Sequence, residues 1–379
     1  MEPRPTAEEQ SIIQTAKIFA KENVAPFAAE WEHQRRLPTD AFRQAASAGL
    51  SAILVPKNLG GRETSYLTTT KVLAELAGAC YAFTFGLWVH NNLANTIARK
   101  GTPHQIKRFL GPMLECEDIG AFCLTEPGAG SDAAAISTSA LKSGSKWKLQ
   151  GGKSWVTNGD KADVFVVYAQ TNPKEGWRGI AGFLIPSNAQ GLQRTRPYAL
   201  IGSHSLGVND LILDDCSIDN TGLLFGPGDG FKAALNGINL ARTSVAAGTC
   251  GMLTASLRTA LAYGRQRHAF GKPILENQGL QWQLADVSTE LQAARLLTSR
   301  AAIALDNGAP AIVESAYAKK YATTAAFNGI SQCMQIMGAE GLKTKYPLGR
   351  HLAMAKMAQY MDGTTEIQNT IISRALLGE

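Results

Sequence analysis

Charge is scarce in this sequence. Lys, Arg, Asp and Glu make up 18% of its 379 residues, and 37 basic against 31 acidic side chains leave a net charge of +6. The surplus is spread over much of the chain, so it forms no block of one sign that would demand a nucleic acid. It suits small phosphate-bearing anions or an acidic partner protein. Cysteines are also few. The six, at Cys80, Cys116, Cys123, Cys216, Cys250 and Cys333, form no C-x-x-C pair and no Cys/His cluster. That sets aside a disulfide framework and a zinc site, and no metal is expected. The first fourteen residues lack a basic stretch leading into an apolar core, and no run of eighteen apolar residues follows. The expectation is a cytoplasmic protein without a membrane segment, or a mitochondrial-matrix one in a eukaryote.

What the chain does have is apolar residues, 45% of the total, enough for two or three packed units. Thr6-Ala7-Glu8-Glu9 reads as a capping box ahead of Ile12, Ile13, Ala16, Phe19, Ala20 and Val24 at helical spacing. Residues 67–79 and 85–98 look like further helices, with a loop at Lys57 to Gly61. From Gly120 the apolar runs shorten: 121–124, 147–149, 164–169, 180–185 and 211–213, separated by Gly-Gly and Asn-Gly turns. That texture predicts antiparallel β structure. Past Gly226-Pro227-Gly228 the helical period returns over 231–267, 278–307, 311–337 and 352–376, long Ala-rich stretches that suggest an antiparallel bundle. The expected class is α+β and mostly α, with a helical domain over 1–119, a β domain over 120–228 and a helical bundle over 229–379.

Four motifs carry chemistry, each with a plainer reading beside it. Thr125-Glu126-Pro127-Gly128-Ala129-Gly130-Ser131-Asp132-Ala133 fits G-x-G-x-x-A after a strand. A dinucleotide fingerprint, however, should open a helix and meet an acid some twenty residues on, and here a Gly-Gly hairpin intervenes. The remaining readings are a plain turn or a loop of small residues that approaches a cofactor closely. Trp155-Val156-Thr157-Asn158-Gly159 is a strand end with an Asn-Gly signal for a type I′ turn, or a face for a planar ring. Arg267-His268-Ala269-Phe270-Gly271 ends a long helix, where a cation and a Gly are expected anyway. Asp362-Gly363 is a good turn by itself.

In combination these motifs carry more. The chain resembles the acyl-CoA dehydrogenase family of FAD flavoproteins over essentially its whole length. The anchors are Cys123 to Asp132, Trp155-Val156-Thr157, Arg242, Arg267-x-x-Phe270-Gly271 with Gln278, Gln335-Ile336-Met337-Gly338, and Gly363-Thr364-Thr365-Glu366-Ile367-Gln368. Residues 277–286 and the tail Ser373 to Leu377 look most like the isobutyryl-CoA, short-branched-chain branch. The resemblance implies FAD as cofactor, with Phe122, Leu124, Thr125, Gly130, Ser131, Trp155, Val156 and Thr157 around the flavin. Arg267, Phe270, Gln278, Gln335 and Gly338 would hold the far end of FAD across a subunit boundary, and Thr364 and Glu366 would close over the cofactor. Ser131, Arg242 and Gly363 would contact substrate. It implies a central barrel-like β domain, a four-helix C-terminal bundle and a homotetramer or dimer. An acyl-CoA substrate, an electron-transferring flavoprotein as acceptor and a role in fatty or branched-chain acid catabolism follow in the same way.

The family's base, usually Glu, aligns with Asp362, and the alternative base position is Ala241. The usual Gly-Gly after the Gln motif is Gly338-Ala339, and a usual Arg-Asp appears as Ala353-Met354. The expected reaction is α,β-dehydrogenation of a short acyl-CoA, α-branched or alicyclic because Asp is short. Three rivals stay open: a carrier-protein-bound substrate, direct use of O₂, and a DNA- or partner-binding role through Lys319, Lys320, Lys343, Lys345 and Arg350, which are more usually a solvated face.

Overall fold

The computed structural model describes residues 3–378. The first helix, α1 (Ala7–Phe19), starts at the expected capping box: Glu9 N–H donates to Thr6 Oγ1 at 3.2 Å and Thr6 N–H to the Glu9 carboxylate at 2.9 Å. Two shorter helices follow, α2 (Ala28–His33) and α3 (Thr39–Ser47). The stretches read as two helices are one, α4 (Tyr66–Lys100), whose backbone leaves the helical region only at Cys80 (φ −156°, ψ 106°). Its start is held by Ser65 and by Asp306, whose carboxylate accepts from Tyr66 and Leu67 N–H. By length and composition α4 could cross a membrane, but most of it is buried in this fold. One-turn helices α5 (Pro103–Gln105) and α6 (Gly111–Leu114) lead into the sheet.

The sheet holds β1 (Gly120–Cys123), β2 (Ser139–Ser143), β3 (Lys146–Val156), β4 (Val164–Gln170), β5 (Ile180–Pro186), β6 (Leu192–Arg194), β7 (Asn209–Asp219) and β8 (Leu223–Phe225). The order is β6-β7-β3-β2-β4-β5-β8, with β1 against β4. Only the Ser139–Gln170 pair joins the two halves. The sheet therefore folds over itself without closing into a barrel, and Trp147 of one half meets Phe183 of the other edge-on at 5.2 Å. Most pairings are antiparallel as expected, but β1 runs parallel to β4, the β2–β3 hairpin being inserted between them in sequence. The Asn-Gly turn is not type I′: Asn158 is left-handed (φ 62°) and Gly159 is not. The buried Asn158 amide instead donates to Gly86 and Gly120 carbonyls, stitching the sheet to α4.

After the sheet come α7 (Gly230–Gln266), a minimal hairpin β9 (His268–Ala269) and β10 (Lys272–Pro273), then α8 (Gln278–Asp306), α9 (Ile312–Met337), α10 (Leu348–Ala358) and α11 (Thr365–Leu377). One apolar cluster runs through both helical regions, with Val72, Leu76 and Phe83 of α4 packed among Val245, Met252, Leu253, Val287 and Ile330. Helices α4 and α7 approach closely because α7 carries glycines at the crossing. A Cβ on Gly251 would lie 2.1 Å from the Ala74 carbonyl oxygen, and one on Gly248 would lie 2.1 Å from the Tyr81 ring.

Candidate active site

Between α10 and α11 the chain makes a left-handed turn at Asp362 (φ 52°) and Gly363 (φ 94°). Asp tolerates this region better than most residues. At Gly363 a side chain would also crowd Gln368 Nε2 at 3.0 Å and Arg242 Nη2 at 3.3 Å. Three side chains from three helices hold the turn by its carbonyls. Arg242 Nε donates to Asp362 O at 2.9 Å, Gln368 Nε2 to Gly363 O at 2.9 Å, and Lys319 Nζ to Gly363 O at 2.8 Å and Gln359 O at 3.4 Å. Arg242 is aimed by Asn239, which accepts from Nη1 at 2.7 Å. Thr364 then caps α11.

The Asp362 residue retains some solvent contact, but its Oδ2 is buried without a hydrogen-bond partner, as is Gln368 Oε1. Burial raises the Asp362 carboxyl to about 6, against the opposing charges of Lys319 and Arg242. Tyr81 of α4 faces the same carboxylate, and burial, with Asp362 adding to it, holds its phenol well above the ordinary value. Ala241, the alternative base position, is a buried apolar residue.

The second group of predicted residues gathers at the loop after β1 and the end of β3. Leu124 is buried, Phe122 packs on Tyr168 at 5.3 Å, and Thr125 O accepts from Ser154 N–H at 2.8 Å. The loop leads through a short 3₁₀ turn (Ala133–Ala135) into β2 and opens no α-helix, which removes the dinucleotide-fingerprint reading. Glu126 organises it from beneath. Its carboxylate accepts from Ser137 N–H and Oγ, Thr138 N–H and Lys153 Nζ, the last at 2.7 Å. Burial works against the Glu126 charge, but Lys153 and these donors hold the carboxyl at about 2, so Glu126 is an anion against Lys153. On the other side Gly128 and Gly130 face open space and Ser131 is exposed. Trp155 is left-handed (φ 60°) and 58% exposed, its ring tilted on Tyr198 at 4.7 Å, while Val156 is buried and Thr157 half-buried.

The third group lies apart from Asp362. Arg267 closes α7, and Phe270 and Gly271 form the two-residue turn of β9–β10 with both φ positive, leaving the Phe270 ring fully exposed. Gln278 opens α8, and Gln335 and Gly338 end α9; all are exposed. Arg267 is 25 residues beyond Arg242, roughly 37 Å along α7. A surface depression of about 670 Å³, lined by Thr6, Glu9, Lys57, Ser65 and Asp306 among others, contains none of these residues.

Sequence patterns describing the acyl-CoA dehydrogenase N-terminal, middle and C-terminal domains match residues 6–117, 121–216 and 228–377. The chain belongs to the acyl-CoA dehydrogenase family. Relatives include the short-chain specific acyl-CoA dehydrogenase of Rattus norvegicus (36% identical, 97% of this chain and 90% of that protein) and the isobutyryl-CoA dehydrogenase of Bos taurus (33%, 98% and 90%). The butyryl-CoA dehydrogenase structure from Megasphaera elsdenii superposes with a TM-score of 0.96 (31% identical, all of both chains). The glutaryl-CoA dehydrogenase of Mycobacterium smegmatis, in complex with FADH2, does so at 0.94 (27%, 99% and 96%). As an acyl-CoA dehydrogenase the protein is an oxidoreductase with FAD as cofactor, carrying out dehydrogenation of the acyl-CoA dehydrogenase type. The residues present fit that group. Gly128 and Gly130 have open space above them, and the exposed Trp155 follows Ser154, which is tied to the same loop at Thr125, so a ligand can approach the loop and the ring together.

Sequence reasoning missed Lys319, Tyr81, Glu126 and Lys153. It also set Lys319 among solvated lysines, which the structure corrects: Lys319 is fully buried, Arg350 is half-buried, and Lys343 and Lys345 both pair with Glu340 at 2.7 Å. A signal was available, since Lys319 falls on the same helical face as Ser315, Ala322, Thr323 and Ala326, and Lys153 has the inward parity of Trp147 and Leu149.

Proposed function

We propose that this enzyme dehydrogenates a short, α-branched or alicyclic acyl-CoA with Asp362 as the base. The observation that carries the reading is the Asp362 carboxylate, buried with one oxygen unpartnered beside Arg242 and Tyr81 and raised to about 6. A base near the working pH is suited to taking a weakly acidic α-proton. Asp is shorter than Glu by one C–C bond, about 1.5 Å. A misplacement of about 1 Å can cost roughly a hundredfold in rate. Bulk on the α-carbon supplies a reason for the shorter reach, because it needs space between base and substrate. Relatives named for short-chain and for isobutyryl substrates bracket that size.

When bound, FAD supplies the hydride acceptor. The chain's part is to bind and orient. Phe122, Leu124, Thr125, Gly130, Ser131, Trp155, Val156 and Thr157 line the flavin, Thr364 and Glu366 close over it, and Ser131, Arg242 and Gly363 contact substrate. The Asp362 N–H donates to the thioester oxygen as negative charge develops there. Arg267, Phe270, Gln278, Gln335 and Gly338 serve a neighbour's FAD in a homotetramer or dimer. This is the reading that suits a fully exposed Phe270 at the far end of α7 from Arg242. The electron acceptor is an electron-transferring flavoprotein.

The test is anaerobic flavin reduction by isobutyryl-, cyclohexanecarboxyl- and butyryl-CoA, and by the same acyl groups on carrier protein. Fastest reduction by a branched or alicyclic CoA ester is expected. In Asp362→Glu the preference should move toward butyryl-CoA. A wild type fastest on straight chains removes the branched-substrate reading, and preference for the carrier protein replaces CoA as the handle.

A further inference from the structure

Lys319 lies on the face of α9 that packs into the bundle, between Ser315 and Thr323, and is fully buried. An ammonium in such a place is costly unless its donors and charge are met. Its donors go to the carbonyls of Gln359 and Gly363, which precede and follow Asp362 in the chain. Among the described residues no carboxylate lies within ion-pair distance of it. We propose that Lys319 is a positioning residue for the reaction at Asp362: its ammonium clamps both ends of the left-handed turn that presents the carboxylate, and stands beside that carboxylate as a fixed positive charge. The inference rests on the reading of Asp362 as the base.

The charged and titratable groups around Asp362 are Lys319 from α9, Arg242 from α7 and Tyr81 from α4. Glu366 of α11 acts on Lys319, and Lys356 of α10 acts on Glu366. Burial raises Asp362, and of the two cations that oppose it Lys319 has the larger effect. Burial also lowers Lys319 to about 8, so it is charged through the neutral range. A direct ion pair would hold the carboxyl far down, as Lys153 does for Glu126. With its donors spent on carbonyls, Lys319 fixes the turn and eases ionisation while Asp362 keeps affinity for a proton.

The test uses FAD-loaded Lys319→Met, which removes charge and donors, and Lys319→Gln, which keeps a donor. Anaerobic flavin reduction is followed from pH 5 to 9. Both variants should move the acid limb upward by about one pH unit, the low end of what a nearby opposite charge contributes. That is roughly a fivefold loss at pH 6, largely recovered by pH 8. An activity-independent readout is the pH dependence of thermal unfolding of FAD-free protein. Lys319→Gln should change it between pH 5 and 6.5, below the range in which Lys319 itself titrates, in the Asp362 background and leave it unchanged over that range in the Asp362→Asn background. A rate loss uniform across pH, or unfolding effects equal in both backgrounds, overturns the proposal and leaves Lys319 structural. If Asp362→Asn reduces flavin as fast as wild type, the base assignment fails instead, whatever the unfolding cycle shows.

Discussion

The protein buries a lysine near a carboxylate twice, and to opposite effect. In the loop after β1, Lys153 touches Glu126 at 2.7 Å, three further protein donors converge on it, and the carboxyl is held at about 2. At the α10–α11 turn, Lys319 addresses carbonyls, Asp362 Oδ2 has no partner, and burial leaves the carboxyl at about 6. Composition is nearly the same in the two places; the difference is where the lysine's hydrogens go. A carboxylate whose acceptors are filled is a structural anion, whereas one left with an unfilled buried oxygen can take a proton from something else.

Removing each charge separates the two. Asp362→Asn should lower flavin reduction by 10² to 10⁴-fold, the usual span for a general base, with FAD retained. Glu126→Gln should instead destabilise the fold by roughly 3–5 kcal/mol, because it strands Lys153, and protein purified from it should be depleted of flavin. The stability of Asp362→Asn runs the other way. A carboxyl raised to about 6 from an ordinary value near 3.8 contributes stability below the lower value and loses it as pH rises through 6. Removing it should therefore raise apoprotein stability above pH 7 by 2–3 kcal/mol, and leave stability at pH 4 little changed. Denaturant titrations at both pH values check this, and destabilisation at pH 8 would return Asp362 to the role of a turn residue. The smallest effect concerns neither carboxylate: Phe270→Gly relieves a left-handed aromatic and should stabilise the isolated subunit by about 1 kcal/mol, while flavin retention in the assembly falls.

Much of the fold was legible because its signals are local. The Thr6 capping box and the turn at Asp362-Gly363 each need only a few adjacent residues and formed where the pattern placed them, and the first three long helical stretches formed as read, whereas the fourth, 352–376, is two helices, α10 and α11, with that turn between them. The fold-over of the sheet, joined at Ser139–Gln170, and the parallel pairing of β1 with β4, at Gly120–Val164, bring together segments 31 and 44 residues apart, about which periodicity is silent. Asp362, Arg242 and Gly363 were found together as the motifs implied, since each hydrogen-bonds to or crowds its neighbour directly. Lys319 and Glu126 were missed for a common reason. A charged residue reads as solvated unless its position in the helical or strand period is checked first, and both stand at buried positions.

Helix α4 has a consequence for how the chain is made. Its apolar face is satisfied in large part by α7, which begins at Gly230, so a ribosome must add about 130 residues after Lys100 before that partner starts to appear. At ordinary synthesis rates of about 5 to 20 residues per second this is roughly 6 to 26 seconds. During that interval the nascent protein displays a helix with the length and hydropathy of a membrane span, covered only in part by Phe19, Trp31 and Phe42 of the preceding segment, which pack on its Phe83. A chain arrested before Gly230 should therefore be held by chaperones or aggregate, and the enzyme's yield in a cell should depend on how the wait for α7 is managed as much as on the stability of the finished fold.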